Sequence, residues 1–595
     1  MKQFFKMVGA SAVGFILANL IFISITFAMI GALISSVESL KSDFKSDRDV
    51  KIEDNTVLKI DLSDGVLERT SDNPLEYFSF DFRDFSQPLS LRHLLSRIEG
   101  AAEDDRISGI YLNLSVVMAG NAQLDEVLRA LRKFKESGKF IYAYSEVITQ
   151  KNYLLSSVAD SVFLHPEGMM TFGGFSSENA YLKGMFDKLD IEPKVIRVGK
   201  YKSAGETFDR SSMSDENREQ IASTLNDLYD YYLGHIAENR GVSVERLKEI
   251  ANNYEIRSPE TAVSSGLIDA LRYEDEVRSV LQEEVKVPQE KDLNIVKIQK
   301  YRPEAKEDKK EEGKVALVYA LGEIMPGKGS IDRIGSETMV KAIRKARKDD
   351  DVKAIVVRVN SPGGSALASD VILRELALAK EKKPVVISMG NVAASGGYYI
   401  AAKANRIFAQ PNTITGSIGV IAFIPNLTDF WKNKTGIEFD RVRTGPYADL
   451  GNVNRKMTDE EEEILQTYVN DIYGKFVGHV ADGRDMDRDA VHDIAQGRIW
   501  TGNQALENGL VDELGGMQNA IAFAAKEVGL SESPKLDIYP KFSTPFDRFF
   551  ADFSSNVKKQ WMVSEMGEQE YRMYQKMKTW KEFSGILAIM PYELD

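Results

Sequence analysis

The chain of 595 residues contains no cysteine. That removes disulfides, thiolate-bound zinc and a cysteine nucleophile, while leaving the compartment open. Histidine is nearly as scarce: His93, His165, His235, His479 and His492 are all there are. No two have metal-ligand spacing, and none stands beside a glycine-rich motif. A histidine-bound metal or a Ser-His-Asp triad therefore lacks the residues it needs. Positive charge is in deficit too. With 76 Lys and Arg against 90 Asp and Glu, the net charge of −14 gives nucleic-acid binding no electrostatic footing. No uncharged run elsewhere is as long as the one at the start, where Met7–Val37 carries no charged residue.

The rest of the composition is that of a globular protein, 43% apolar and 28% charged. So long a chain exceeds one ordinary core and calls for about two to four domains. As a helix, Met7–Val37 exceeds a hydrocarbon core of ~30 Å. It also exceeds the apolar region of a cleaved signal peptide, about 7–15 residues. Residues 1–38 are therefore expected to be a short cytoplasmic N-terminus and an uncleaved transmembrane anchor; the competing reading is a cleaved export signal. Lys2 and Lys6 before the span put the N-terminus inside. The remaining chain would lie beyond the cytoplasmic membrane, in the periplasm of a Gram-negative cell. Residues 39–55 read as a polar stalk.

The most informative feature is a duplication. Placing Asp105 on Asp350 and continuing to Phe175 on Val420 aligns 71 pairs without a gap, with about 14 identities. Each copy repeats one plan of alternating strands and helices, the pattern of an α/β fold with parallel pairing. The first copy spans 56–300 and the second 315–542. A Lys- and Glu-rich linker at 301–314 separates them. The tail 543–595 has a helical pattern from about Ser554, ends in the apolar run Gly585–Tyr592, and is expected to pack on the body, a neighbouring subunit or a membrane surface.

The copies differ where chemistry could reside. The second has Ser-Pro-Gly-Gly (Ser361–Gly364) and Ala-Ala-Ser-Gly-Gly (Ala393–Gly397); the first has Val116–Ala119 and Ile148–Asn152 there, with Gln150 opposite Ser395. Further on, the first copy has Tyr-Lys-Ser-Ala (Tyr201–Ala204), where a one-residue shift sets Ala448 of the second against Lys202. Ser395 stands where a strand gives way to a helix, so the N–H after it (Gly396) can face a developing negative charge. Its plain reading is an N-cap serine. Gly363 and Gly364 can turn backbone N–H groups toward one point, or merely supply the dihedrals of a turn. Lys202 serves as a base only if burial lowers its pKa; otherwise it is a surface charge, and Lys200 competes with it. Ser417, in Thr-Gly-Ser-Ile-Gly-Val (Thr415–Val420), could orient a neutral amine or simply occupy a turn.

Together, Tyr201–Ala204, Ser361–Gly364, Ala394–Tyr399 and Thr415–Val420 resemble the signal peptide peptidase A (protease IV) family in its long, duplicated, membrane-anchored form. The resemblance runs over nearly the whole chain. It implies two ClpP/crotonase-like domains with added helices after one N-terminal transmembrane helix. It also implies a homotetramer with sites facing an inner chamber, and a serine endopeptidase acting on released signal peptides. The family's Ser/Lys dyad falls on Ser395 as nucleophile and Lys202 as general base, its lysine-orienting serine on Ser417, and its oxyanion hole on Gly363, Gly364 and Gly396. Neither cofactor nor metal is implied. A crotonase-like acyl-CoA enzyme and an inactive membrane scaffold are the competing readings. Because the serine lies in one copy and the lysine in the other, the site is expected where the copies meet, within one chain.

Overall fold

Runs of β-branched residues bounded by helical segments build the framework. The computed structural model describes residues 52–70, 89–288, 290–303, 313–541 and 585–589. The expected anchor Met7–Val37, most of the charged linker and most of the tail lie outside them. Among the described residues no helix is long and apolar enough to cross a membrane.

The principal elements of the first copy are β1 (Thr56–Ile60), α1 (Leu91–Glu103), β2 (Ile107–Asn113), α2 (Asn121–Lys135), β3 (Phe140–Ile148), α3 (Gln150–Ser156), β4 (Ser161–Met170), β5 (Glu192–Val198), α4 (Asp215–Arg240), β6 (Ala270–Leu271) and β7 (Ile295–Lys297). The second begins with β8 (Lys314–Leu321), β9 (Glu323–Met325), β10 (Arg333–Gly335), α5 (Ser336–Lys348), β11 (Val352–Ser361), β12 (Gly363–Ser365), α6 (Ala366–Lys380), β13 (Val385–Ala394) and α7 (Gly396–Ala401). It continues through β14 (Arg406–Ala409), β15 (Ile414–Gly416), β16 (Val420–Asn426), α8 (Asp459–Arg484), β17 (Ile499–Thr501), β18 (Glu513–Leu514), α9 (Met517–Glu527) and β19 (Leu536–Tyr539). A last strand, β20 (Gly585–Ile589), comes from the tail.

The duplication holds at the level of elements. Helices α1 and α5 begin at 91 and 336, strands β2 and β11 at 107 and 352, and β3 and β13 at 140 and 385, each pair 245 apart. The first sheet has the order β6-β4-β3-β2-β1-β7 and is wholly parallel. The second runs β17-β15-β13-β11-β8-β19, with β14 beside β13 and β18 beside β14, and only β17 is antiparallel. Strand β19 lies beside β8 as β7 lies beside β1. Ile355, Val356, Val357 and Val359 of β11 are all fully buried, as expected of a parallel strand covered on both faces.

A third sheet, β10-β9-β12-β20-β16-β5, joins the copies. Strand β5 belongs to the first copy by sequence but pairs antiparallel with β16 of the second, from Glu192 opposite Asn426 to Val198 opposite Val420. Its Ile196 is buried in the second copy's core. No element is expected at Glu192–Val198 from sequence, because Pro193 and Lys194 weaken the local strand pattern and the pairing partner is remote. The apolar end of the tail is a strand, not a continuation of the helical pattern: β20 pairs antiparallel with β12 and with β16. These two neighbours offer backbone groups on facing edges, and a strand between them satisfies both.

A buried ion cluster pins the copies together. Arg358 of β11 is fully buried, and all five of its N–H groups are engaged. It donates to both oxygens of Glu68 at 2.8 and 3.0 Å, to Glu126 at 2.7 Å, to Ser388 Oγ at 2.9 Å and to the Met389 carbonyl at 3.0 Å. Glu68 and Glu126 come from the first copy. The second oxygen of Glu126 accepts from the N–H of Met517 at the start of α9, where the helix dipole favours the extra negative charge.

Candidate active site

Ser395 lies at the junction of β13 and α7. Its backbone adopts φ 56° and ψ −114°, and its side chain makes no capping bond. The N-cap reading therefore fails. An N-cap residue has an extended backbone and turns its oxygen back to the helix. Here the left-handed φ, which costs a non-glycine residue of the order of 1–3 kcal/mol, turns the hydroxyl away from the helix. The conformation is held by Ser395 N–H donating to the Gly416 carbonyl at 2.8 Å, and by Tyr399 N–H donating to the Ser395 carbonyl at 2.8 Å. Gly396 is the first residue of α7, and a helix provides no internal acceptor for its first N–H groups.

Lys202 approaches from the other copy. Strand β5 ends at Val198 opposite Val420, and the chain then turns at Gly199 (φ 104°), carrying Lys202 beneath β15 and β16. The Lys202 side chain is buried, with its Nζ 2.9 Å from Ser395 Oγ, 3.0 Å from Ser417 Oγ and 3.1 Å from the Ser417 carbonyl. Burial holds its pKa well below the ordinary lysine value of 10.5. All three polar contacts are neutral oxygens. Lys200, the competing candidate, is exposed and stacks on the Tyr201 ring instead.

The glycine loop is formed by both conformation and packing. Gly363 and Gly364 have φ of 104° and 149°. A Cβ on Gly364 would fall 2.1 Å from the Ile324 carbonyl oxygen, so no other residue fits beside β9. The Gly363 N–H donates to Ser361 Oγ at 3.1 Å and is thereby committed to shaping the loop. Ser361 in turn sits against Gly397, where a Cβ would meet its carbonyl oxygen at 2.6 Å. Helix α7, which begins at Gly396, packs against β12, the strand that holds Gly364.

Two supports of Lys202 escape the sequence reading. Tyr201 N–H donates to the Gln496 carbonyl at 2.9 Å, and Gly497 N–H donates to the Ile418 carbonyl at 2.8 Å. Gln220 of α4 donates to the Tyr201 carbonyl at 3.0 Å and accepts from the Ile499 N–H at 3.2 Å. The only local signal was the glycine in Gln-Gly-Arg (Gln496–Arg498). A Cβ on Gly497, whose φ is 79°, would lie 2.5 Å from Lys202 Cβ and 2.6 Å from its Cα. Gly497→Ala is accordingly expected to displace the amine and lower kcat/KM by about 10²-fold, the scale of a misplacement of roughly 1 Å. Kinetics paired with thermal melting check this; full activity in a folded variant would refute the bracing.

Among the described residues no cluster of three or more metal-ligating side chains forms. A buried amine against a serine hydroxyl, beside a helix start and a glycine strand, is equipped for proton transfer and nucleophilic attack.

The model for peptidase family S49 matches residues 133–288 and 377–531, once in each copy. The chain is 36% identical to Protease 4 of Salmonella typhi over 481 residues, covering 79% of this chain and 77% of that one. It is 36% identical over 464 residues to a chloroplastic serine protease SPPA of Arabidopsis thaliana, covering 76% and 68%. It is 34% identical over 436 residues to Protease 4 of Haemophilus influenzae, covering 71% of each. A ClpP1 mutant structure from Listeria monocytogenes covers 34% of this chain and 94% of its own at 17% identity and a TM-score of 0.24, too slight a likeness to inform the fold. On the paired family matches and these long alignments, the chain belongs to peptidase family S49 and is a serine endopeptidase.

Proposed function

We propose that Ser395 is the nucleophile and Lys202 its general base in hydrolysis of short apolar peptides, released signal peptides foremost. The observation that carries this is the 2.9 Å separation of Lys202 Nζ and Ser395 Oγ in a site whose burial disfavours the ammonium. A neutral amine has two N–H groups and one lone pair. The carbonyl and hydroxyl oxygens of Ser417 account for the two N–H groups, which leaves the lone pair for the Ser395 O–H. Ser417 thus orients the base.

Ser395 Oγ attacks the peptide carbonyl carbon as its proton passes to Lys202. The oxyanion is held by the N–H groups of Gly364 and Gly396, with Gly363 shaping the loop. The ammonium of Lys202 protonates the leaving nitrogen as the C–N bond breaks, giving an acyl-enzyme and a free amine. Water then loses a proton to Lys202 and attacks the ester, and Ser395 recovers its proton. The parallel sheets and the glycine loop following β11 support reading each copy as a ClpP/crotonase-like unit.

The uncharged run Met7–Val37 supports a single-pass anchor, with the N-terminus inside and both catalytic units outside the cytoplasmic membrane. Four such chains around one chamber would suit short peptides better than folded proteins. The name of an Enterococcus faecium relative, a putative signal peptide peptidase, supports the substrate class. To test the reading, wild type and Ser395→Ala are incubated with a defined signal peptide and the products mapped by mass spectrometry. Internal cleavage by wild type alone is expected. The same fragments in both samples, or none in either, would overturn it.

A further inference from the structure

We propose that Arg498 is a positioning residue for the reaction: its guanidinium, stacked on the rings of Tyr201 and Trp500, fastens the Lys202 segment of the first copy to the Ser417 turn of the second and closes the base off from water. The inference rests on the Ser395/Lys202 reading and adds a residue that acts through the base without touching the reacting atoms.

Arg498 meets both sides of the site. Its backbone carbonyl accepts the Ser417 N–H at 2.7 Å, so it holds the turn whose hydroxyl and carbonyl orient the amine. Its side chain reaches across to the first copy. The guanidinium lies 4.8 Å from the centre of the Tyr201 ring and 4.5 Å from that of the Trp500 ring. It also donates to the Tyr201 hydroxyl at 3.2 Å and to Glu219 of α4 at 2.9 Å, while the Tyr201 O–H donates to Glu219 at 3.2 Å. A planar cation on two aromatic faces is an arrangement that arginine makes and lysine does not reproduce. Trp500 belongs to β17 and lies against β15: a Cβ on Gly416 would fall 2.7 Å from its Cδ1. The Gly416 carbonyl is the acceptor that holds the Ser395 N–H. One side chain therefore grips both the residue before the base and the ring that backs the support of the nucleophile.

Exposure falls inward along this clamp. The Glu219 side chain is 55% exposed and that of Arg498 18%, whereas Tyr201 and Lys202 are buried. The ionisable groups that flank the amine are Arg197, Lys200 and Glu206 along its own segment, Glu219 on α4, Tyr473 on α8 with its partner His492, and Arg498. Burial, rather than the charge of any of them, holds the Lys202 pKa down. Opening the clamp would admit water and let that pKa climb back toward the ordinary value.

The duplication points the same way. Setting Gly509 on Gly266 puts Ile499 on Ile256, Arg498 on Glu255 and Gly497 on Tyr254. Both turns use a left-handed residue, with φ 79° at Gly497 and 47° at Tyr254. The backbone is shared, yet in the first copy Tyr254 is exposed and Glu255 pairs with Arg246 at the surface. Only the turn that receives Lys202 has the glycine that makes room for it and the arginine that grips its neighbour.

The test compares Arg498→Met, Arg498→Lys and Tyr201→Leu in the full chain, each beside wild type and a Ser395→Ala control. Steady-state cleavage of a short apolar peptide is followed across pH, together with thermal melting. Loss of the clamp should move the acid limb of kcat/KM upward by about one pH unit in Arg498→Met, a tenfold loss on that limb which alkali restores, carried by kcat rather than KM. Tyr201→Leu, which removes one of the two ring faces, should shift the same way. Arg498→Lys should show most of the shift, because an ammonium keeps the charge but not the stacked plane. This milder change keeps the test readable should the methionine variant not fold. An acid limb that stays in place in Arg498→Lys would overturn the clamp, whatever happens to the melting temperature. Cleavage that survives Ser395→Ala would instead overturn the dyad on which the proposal rests.

Discussion

Replacing Ser395 by alanine is expected to reduce kcat by about 10⁴- to 10⁶-fold, roughly 5–8 kcal/mol of transition-state stabilisation. Lys202→Met should do the same, and the double variant should lose little more, because nucleophile and base act in one proton transfer. The two variants differ in stability. Ser395→Ala removes one hydroxyl from contact with Lys202, a change of the order of 1 kcal/mol. Lys202→Met removes an amine whose pKa burial has driven well down. A lysine with a lowered folded pKa binds fewer protons folded than unfolded, so stability rises with pH between the folded value and 10.5. Below the folded value the protein bears the full cost of a buried ammonium. Lys202→Met should therefore raise the melting temperature near neutral pH and flatten its rise toward alkaline pH. In wild type, kcat/KM should increase with pH as the amine loses its proton, and level off below the ordinary lysine range. Steady-state kinetics and melting curves across pH check both expectations. A rate that survives Lys202→Met, or an activity that still climbs through pH 10.5, would reject Lys202 as the base.

The second large effect concerns Arg358. Arg358→Met leaves Glu68 and Glu126 as buried carboxylates facing each other without a cation. Breaking a buried pair in this way costs about 3–5 kcal/mol. The cluster joins β11 and α9 of the second copy to α2 and the Glu68 segment of the first. Its loss should loosen the contact that sets the distance from Lys202 to Ser395, so activity should fall along with stability. The remedy discriminates the cause. In the combined variant Arg358→Met, Glu68→Leu, Glu126→Gln no buried charge is left unpaired, and the Met517 N–H keeps an acceptor. That variant should recover most of the lost stability, as measured by denaturant unfolding. Failure to recover would mean that shape, rather than uncompensated charge, sustains the junction.

Much of this was legible in the residues. The 245-residue offset marked the copies, and the element starts obey it because each copy repeats the same local periodicities. Ser395 and Ser417 could be singled out among glycines, Ser395 and Lys202 because each stands in only one copy, and all three because they fall on the motifs of the family resemblance. The Arg358 cluster could not be seen, since Arg, Glu and Glu far apart in sequence look like three surface charges. Strand β5 was invisible for a related reason: its partner lies in the other copy, and a one-sided pattern containing Pro193 carries little strand signal. Gln496–Gly497 carries no sequence signal beyond one glycine, and its role appears only when Lys202 is seen against it. The tail's last strand read as a helical continuation because the edges that capture it, β12 and β16, come together only in the folded chain.

By itself the sequence determined the duplication, the alternation of strands and helices, and the split of serine and lysine between copies. All of these follow from short-range periodicity and from residue chemistry. Only the tertiary structure decided that Lys202 is buried against Ser395, that Ser395 turns its hydroxyl from its helix, and that Gly585–Ile589 pairs with the glycine strand. Each depends on what surrounds a group in space. A proton's affinity for an amine is set by the water excluded around it, and the segments excluding it here, β5, β15, β16 and the Gln496–Gly497 turn, are brought together only by the crossing of one copy into the other.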